Sequence, residues 1–429
     1  MSPRIEIRNS HVIDPAHSRA GHHTLYIAEN RIVAWDHPPS GWVADHLIDA
    51  PNWITCPGLV DISARLREPG LEYRATLESE MLAAVSGGIT SLVCPPDTDP
   101  VLDEPGLVEM LKHRTRQLSQ AHVYPLGALT LGLRGQQLTE MAELTEAGCV
   151  GFSHAEAPLF DTHLLYRALQ YAATFDYPVW LRPQDPYLSR GGVAHDGHVA
   201  TRLGLPGIPT CAETLALQQI ITLMRQTGTR VHICQLSSAE GVALVRQAKA
   251  DGLPITADVS IHHLHLCDID IGYFNSHCHL SPPLRSMRDR DALQAGVEDG
   301  TLDAICSDHT PVDDNAKQLP FGESEIGATG LELLLPLTLH WANTHNIELP
   351  QAIAKITHEP AKLLGLPAGH LSVGAPADLC LFDPDTYWEI TPSNLHSQGK
   401  NTPFLGMHVP GKVMMTIIEG KIVYQAQQH

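Results

Sequence analysis

The sequence predicts an α/β protein: a (β/α)8 TIM barrel carrying a small β-sandwich made from the N- and C-terminal segments. Three observations predict it. Short apolar strand patterns alternate with amphipathic helix patterns eight times through the middle of the chain. The residues before that run alternate apolar and polar side chains. The residues after it do the same.

The strand candidates, in order, are GLVDISA (58–64), TSLVCPP (90–96), HVYPLGAL (122–129), CVGFS (149–153), PVWLRP (178–183), RVHICQL (230–236), PITADVS (254–260) and DAICSD (303–308). Between them lie stretches such as LESEMLAAVSGG, THLLYRALQYAATF, CAETLALQQIITLMRQTG and SAEGVALVRQAKADG. These space their apolar residues three and four apart, and several end in Gly, a helix stop. Alternation of this kind implies parallel strands joined by right-handed crossovers. Eight such units close a barrel whose sites lie at the C-terminal ends of its strands.

IEIRNSHVID, HTLYIAENRIVAW and DHLIDAPNWITCP show instead the pattern of half-buried antiparallel strands. ADLCLFDPD and KVMMTIIEGKIVYQ, with its Glu-Gly turn, resemble them. Residues 1–56 and 366–429 are therefore expected to form the sandwich, and 57–365 the barrel.

With 429 residues, 43% of them apolar and 18% charged, the chain can bury a large core. Its 28 basic against 48 acidic residues leave a formal charge of -20. That balance argues against nucleic acid or an anionic membrane as a partner. MSPRIEIRNS has no apolar h-region, and apolar runs such as 331–339 are too short to span a bilayer. The nine cysteines are scattered singly with no CxxC pair, which reads as reduced thiols. A soluble, cytoplasmic protein is expected.

Several segments then stand in a telling order. They are PGLVD…RLREPG (57–70), GLPGIPTCAET (204–214), VHICQLSS (231–238), HHLHL (262–266), SPPLRSMRDRDAL (281–293), LDAICSDHTP (302–311), GATGLELLLPL (327–337) and GHLSVGAPADL (369–379). Together they resemble the dihydroorotases of the amidohydrolase superfamily over nearly the whole chain. The resemblance implies reversible ring closure of carbamoyl-aspartate at a zinc site. Its ligands would be an HxH pair ending strand 1, a carboxylated Lys on strand 4, one His each on strands 5 and 6, and an Asp on strand 8.

Transferred to this chain, the HxH positions hold Ser63 and Arg65, the lysine position Ser153 and the strand-5 histidine position Arg182. Only His232 and Asp308 remain, so four of six ligands are gone. In the family pattern one metal takes the HxH pair, the Lys and the Asp, and the other takes the same Lys and the two later histidines. Each would keep one ligand here, where zinc needs about three. Arg65 and Arg182 add two permanent positive charges that repel a cation. No metal and no catalytic residue is expected in this pocket, and Asp308 is expected to pair with Arg65 or Arg182.

Arg67 matches the arginine that clamps the substrate carboxylate. The asparagine that accompanies it is Asp97, a carboxylate expected to repel an acidic substrate. His309 is present, but the histidine that follows it in the family is Val312. His262, His263 and His265, with His277 and His279, form clusters that a relocated zinc could use, although HHLxL also occurs in family members without a metal role. Ser63 and Ser153 lie in no GxSxG elbow and read as space-fillers. The loop DDNAKQLPFGESE (313–325) reads as mobile.

Two functions follow as expectations. The first is a non-catalytic subunit, because the resemblance extends to the inactive dihydroorotase-like chains that assemble with aspartate transcarbamoylase. Its partner would be the transcarbamoylase catalytic chains in a hetero-oligomer, six-plus-six by that resemblance, supporting assembly, activity or nucleotide inhibition. The alternative is an active cyclic amidohydrolase with a reduced or relocated zinc site. The ligand set favours the first.

Overall fold

A computed structural model describes residues 3–159 and 161–427. The outermost residues assigned above to the terminal segments, 1–2 and 428–429, lie outside the described residues, as does Phe160. All eight expected central strands form, and each is parallel to its neighbours. They are Leu59–Asp61, Ile89–Cys94, His122–Pro125 continued by Gly127–Ala128, Phe152–Ser153, Val179–Leu181, Val231–Ile233, Ile255–Ser260 and Ala304–Cys306. The first three make one ladder, and the third continues into a second ladder that runs on to the eighth. Beyond the ends of strands 1 and 8, Ala64 bridges His309 in parallel. The fold is of the mixed α/β, TIM-barrel type.

Helices follow the strands and begin where the sequence supplies caps. Thr76 and Ser79 form a capping box on Leu77–Ser86, and Ser286 and Asp289 form one on Met287–Glu298. Asp161 and Ser238 accept backbone N–H groups at the starts of Thr162–Thr174 and Ala239–Ala250. Gly228, at φ +72°, ends Cys211–Thr227 in the left-handed conformation that glycine adopts freely.

The terminal segments differ from expectation in one respect. The expected two-sheet sandwich is a single hydrogen-bonded sheet of eight strands. Its order is Lys421–Gln425, His408–Ile418, Leu379–Glu389, Ile54–Pro57, Ile5–Asp14, Arg19–Ala28 and Arg31–Trp35, with His46–Asp49 also paired to Ile5–Asp14. The two chain ends join where Cys56 lies opposite Cys380. Alternation identifies which face of a strand is buried, but not which strand it pairs with. One face, including Ile5, Leu25, Leu379 and Ile417, makes a small core of its own. The other, including Ile54, Phe382 and Val409, joins the barrel's helices in one continuous core.

Among the described residues no helix is long and apolar enough to cross a membrane. All nine cysteines are unpaired.

Because sheet and barrel share a core, they should unfold together. Phe382 is fully buried at that junction, and Phe382→Ala should cost about 3–5 kcal/mol. Urea titration followed by circular dichroism should show one transition moved to lower denaturant. Two separated transitions would show that sheet and barrel are independent units.

Candidate functional site

Strand 1 runs past Asp61 toward the mouth of the barrel, where Arg65 N–H donates to the His309 carbonyl (2.9 Å) and His309 N–H to the Ser63 carbonyl (3.2 Å). This pins Ser63 and Arg65 against strand 8. The following loop is drawn onto the strand-2 loop at Gly70, where φ is +89° and a Cβ would fall 1.8 Å from the Asp99 carbonyl oxygen. Only glycine permits that approach, and it brings Asp97 within reach of Arg65.

The Arg65 guanidinium is the centre of the site. Its Nε donates to Asp97 Oδ2 at 2.8 Å, its Nη2 lies 3.0 Å from Glu156 Oε1, and its Nη1 lies 3.6 Å from Asp308 Oδ1. Nη1 also donates to Thr310 Oγ1 at 3.0 Å. Burial acts to lower the Arg65 pKa, but the three carboxylates outweigh it and raise it well above the ordinary value. Burial likewise acts to raise Asp97, and Arg65 overcomes that to leave it below the usual carboxylate range. Asp308 goes the other way: burial pushes its carboxyl up to about 8, and Arg65, closer to two other carboxylates, offsets only part of this.

Arg182 reaches the same network, with Nη1 3.9 Å from Glu156 Oε2. It also donates to Ser281 Oγ at 2.6 Å and to the Gln184 side chain. The expected pairing of Asp308 with an arginine is therefore present through Arg65. The expected repulsive role of Asp97 is altered, because its charge is already paired. Glu156 was not foreseen. It lies three residues past Ser153 in a loop, where no periodicity tells which way a side chain turns. Arg65, Arg67 and Arg182 against Asp97 and Asp308 leave one positive charge over, and that excess was the available signal for a further acid.

The remaining positions are quiet. Ser63 Oγ accepts from the Gln235 side-chain amide at 3.1 Å, and Ser153 Oγ accepts from Ala155 N–H at 3.0 Å. His232 packs against Trp180 with the rings tilted by 52° and centroids 4.3 Å apart. Its Nδ1 meets Thr256 Oγ1 at 2.9 Å and its Nε2 meets Asp258 Oδ2 at 2.8 Å. Arg67 is buried at the wall of an open cleft of about 560 Å³, whose lining also includes Arg74, Glu323 and Ser324. Its Nε donates to the Pro311 carbonyl at 2.9 Å, and burial, then Arg65, lower its pKa to about 10. Among the described residues no carboxylate lies within 4 Å of it.

These residues do not fit the zinc pair that the resemblance implies. A guanidinium stands among the oxygens where a metal would be needed, and Ser63 and Ser153 are weak ligands. Among the described residues one group of three possible ligands converges: His232, Cys234 and Asp258, with ligand atoms within 4.8 Å of one another. Both His232 nitrogens already have partners, and burial holds the Cys234 thiol well above its ordinary pKa, in the neutral form. A metal would require the thiolate.

The histidine clusters disperse. His263 Nε2 meets the Pro282 carbonyl (3.1 Å), His265 Nε2 the Leu337 carbonyl (3.0 Å) and His279 Nδ1 the Ser324 carbonyl (2.9 Å). Burial lowers His262 to about 3 and His263 to about 4, so both are neutral. The 313–325 loop, expected to be mobile, is fastened. Lys317 is buried, and its Nζ donates to the carbonyls of Ser276 (3.0 Å) and Glu325 (2.6 Å).

Comparison with known proteins gives a consistent set. Residues 53–241 match the family described as dihydro-orotase-like, and residues 190–423 match the amidohydrolase family. A dihydroorotase-like protein of Pseudomonas aeruginosa is 44% identical over 98% of this chain and 99% of its own length. One of Pseudomonas putida is 43% identical over the same shares. A dihydroorotase of Syntrophus aciditrophicus is 39% identical over 98% of this chain and 99% of its own. An L-hydantoinase from Arthrobacter aurescens shares the fold, with a TM-score of 0.89 at 23% identity over 100% of this chain and 97% of that one.

Arg65→Ala leaves three carboxylates around an empty space and should destabilise the chain by about 3–5 kcal/mol. Arg65→Lys keeps the charge but not the fork, and should recover only part of that in a urea titration. A second outcome concerns pH. The folded pKa of Asp308, about 8, lies above its unfolded value of about 4. The folded chain therefore holds more protons between these values, and stability falls as pH rises through that window. Asp61, raised by burial to about 6, acts in the same direction. Urea midpoints at pH 5 and pH 8 should differ less in Asp308→Asn than in the natural chain.

Proposed function

Because the chain belongs to the dihydroorotase-like proteins of the amidohydrolase superfamily, we propose that it is a non-catalytic member which supports aspartate transcarbamoylase in pyrimidine biosynthesis. The single observation that carries this reading is the Arg65 guanidinium at the barrel mouth, ion-paired to Asp97 and Glu156 and 3.6 Å from Asp308. Ring closure on the family pattern needs metal-held hydroxide and a polarised carbonyl. At this mouth a fixed cation stands beside Asp308, the one carboxylate of the family ligand set that the chain keeps.

The rest of the scaffold is intact, which supports a role for its outer surface. On this reading the chain resides in the cytoplasm with transcarbamoylase catalytic chains in a hetero-oligomer, six of each. It contributes to their assembly, activity or nucleotide inhibition. The domain division at residues 57 and 366 belongs to the same reading.

A second reading has one observation in its favour. His232, Cys234 and Asp258 could hold a single zinc if the thiol were deprotonated on binding. The chain would then be a cyclic amidohydrolase with a relocated metal.

Metal analysis after dialysis separates the two. Under the first reading the chain holds well under one zinc and forms no dihydroorotate from carbamoyl-aspartate. Mixed at about micromolar concentration with transcarbamoylase from the same cell, it should run as one large species by light scattering, with transcarbamoylase activity across the peak. One tightly held zinc that Cys234→Ser releases, with turnover of a cyclic amide, would establish the second reading. Two separate scattering peaks would remove the subunit role.

A further inference from the structure

Two neighbouring loops at the barrel mouth each expose large apolar side chains. The loop after strand 7 exposes Ile269 (54%), Tyr273 (92%) and Phe274 (39%). The Tyr273 and Phe274 rings meet edge to face, with centroids 5.6 Å apart. Phe274 has a φ of +63°, a left-handed conformation that is an outlier for a bulky residue. Backbone strain of this kind persists only where the surrounding structure enforces it, and it concentrates at functional sites.

The surrounding structure does enforce it. Asn275 N–H donates to the Ile271 carbonyl (2.9 Å) and Gly272 N–H to the Ile269 carbonyl (3.0 Å). Asp270 accepts from Cys267 N–H at 2.8 Å. The buried Lys317 ties this loop to the next through the Ser276 carbonyl at 3.0 Å. Leu319, two residues beyond Lys317, is 48% exposed. The backbone beneath the aromatic pair is thus held by a stiff support, and little loop entropy remains to be lost on binding.

The exposed charge carried by these two loops has one sign, although Arg74 pairs with Glu325 and Arg202 lies on the helix packed against residues 268–271. Asp270, Asp314 and Glu323 are exposed on these loops and Asp313 is half-buried, while the one lysine, Lys317, is buried with its ammonium on carbonyl oxygens. His277 is lowered by burial, then Lys317, and so is neutral near pH 7. An acidic rim disfavours nucleic acid and anionic lipid. It also disfavours a second copy, since a two-fold contact would set the same acids against each other.

We propose that Ile269, Tyr273, Phe274 and Leu319 form a docking face for a folded protein that presents an apolar pocket rimmed by lysine or arginine. This rests on the reading above in taking that partner to be the transcarbamoylase chain. Aromatic anchors that fill a partner's pocket are among the usual makers of interface energy.

The test compares the full natural chain with the double variant Ile269→Ser/Tyr273→Ser and with Val43→Ser, whose side chain is 71% exposed on the terminal sheet's loop. Each is mixed with transcarbamoylase, and Kd and scattering mass are read at about 50 and 300 mM NaCl. The double variant should bind at least tenfold more weakly with unchanged melting temperature, Val43→Ser should bind as the natural chain does, and high salt should weaken the natural complex several-fold. If the double variant binds within twofold of the natural chain, this docking face is wrong and the subunit reading stands. If the natural chain fails to bind, the subunit reading falls and this inference with it. A natural chain that self-associates alone, and becomes monomeric in the double variant, would assign the face to a second copy and overturn the proposal.

Discussion

The arrangement at the mouth of the barrel depends on one guanidinium. Arg65 leaves strand 1 and meets carboxylates from the strand-2, strand-4 and strand-8 loops. Four parts of the ring are thereby tied through a single planar cation. A guanidinium is suited to this because it keeps its charge at any accessible pH and offers five donors in a rigid fork. Such a buried cluster adds little net stability, since desolvation consumes most of its attraction. What it does supply is geometry, because each carboxylate can be accommodated only if the fork is in place.

Beneath that hub the frame is held by buried acids that accept several hydrogen bonds each. Asp61 accepts from Ser307 N–H at 2.9 Å and from its hydroxyl. Glu80 accepts from His309 Nε2 (2.5 Å), Ser397 Oγ (2.7 Å) and Gln398 N–H (3.0 Å), which ties the barrel mouth to the segment entering the terminal sheet. Glu213 accepts both backbone N–H groups and both hydroxyls of Ser237 and Ser238. Buried carboxylates satisfied this fully cost little, and none of these links needs a metal or a substrate. The frame therefore stands without either.

What the sequence discloses and what it hides divide along a physical line. TSLVCPP and RVHICQL announce strands because β-branched runs bounded by turn residues suit little else. The pairing of Arg65 with Asp308 is also legible, since both occupy positions that converge on one pocket. Cys56 opposite Cys380 is not, because a register between residues more than three hundred apart leaves no trace in local alternation. Nor is the turn of His232 toward Asp258, which depends on a neighbouring strand's side chain rather than on its own. Glu156 and the left-handed Phe274 share that character: each lies in a loop, where direction is set by tertiary contacts.

Asp308 is the exception among the buried carboxylates. The frame carboxylates Asp61, Glu80 and Glu213 each accept several close hydrogen bonds. Among the described residues Asp308 has only an arginine nitrogen at 3.6 Å, and burial drives its pKa to about 8. It is thus largely protonated near neutrality. An acid retained purely for packing would be expected to have hydroxyls or amides around it, as the others do. Asp308 instead has Arg65 at a distance, shared with two other acids, and the more remote charge of Arg182, which together offset only part of its burial. Arg65 has settled closest to Asp97 and Glu156, the two more exposed acids of the cluster, and leaves Asp308 to be neutralised by a proton.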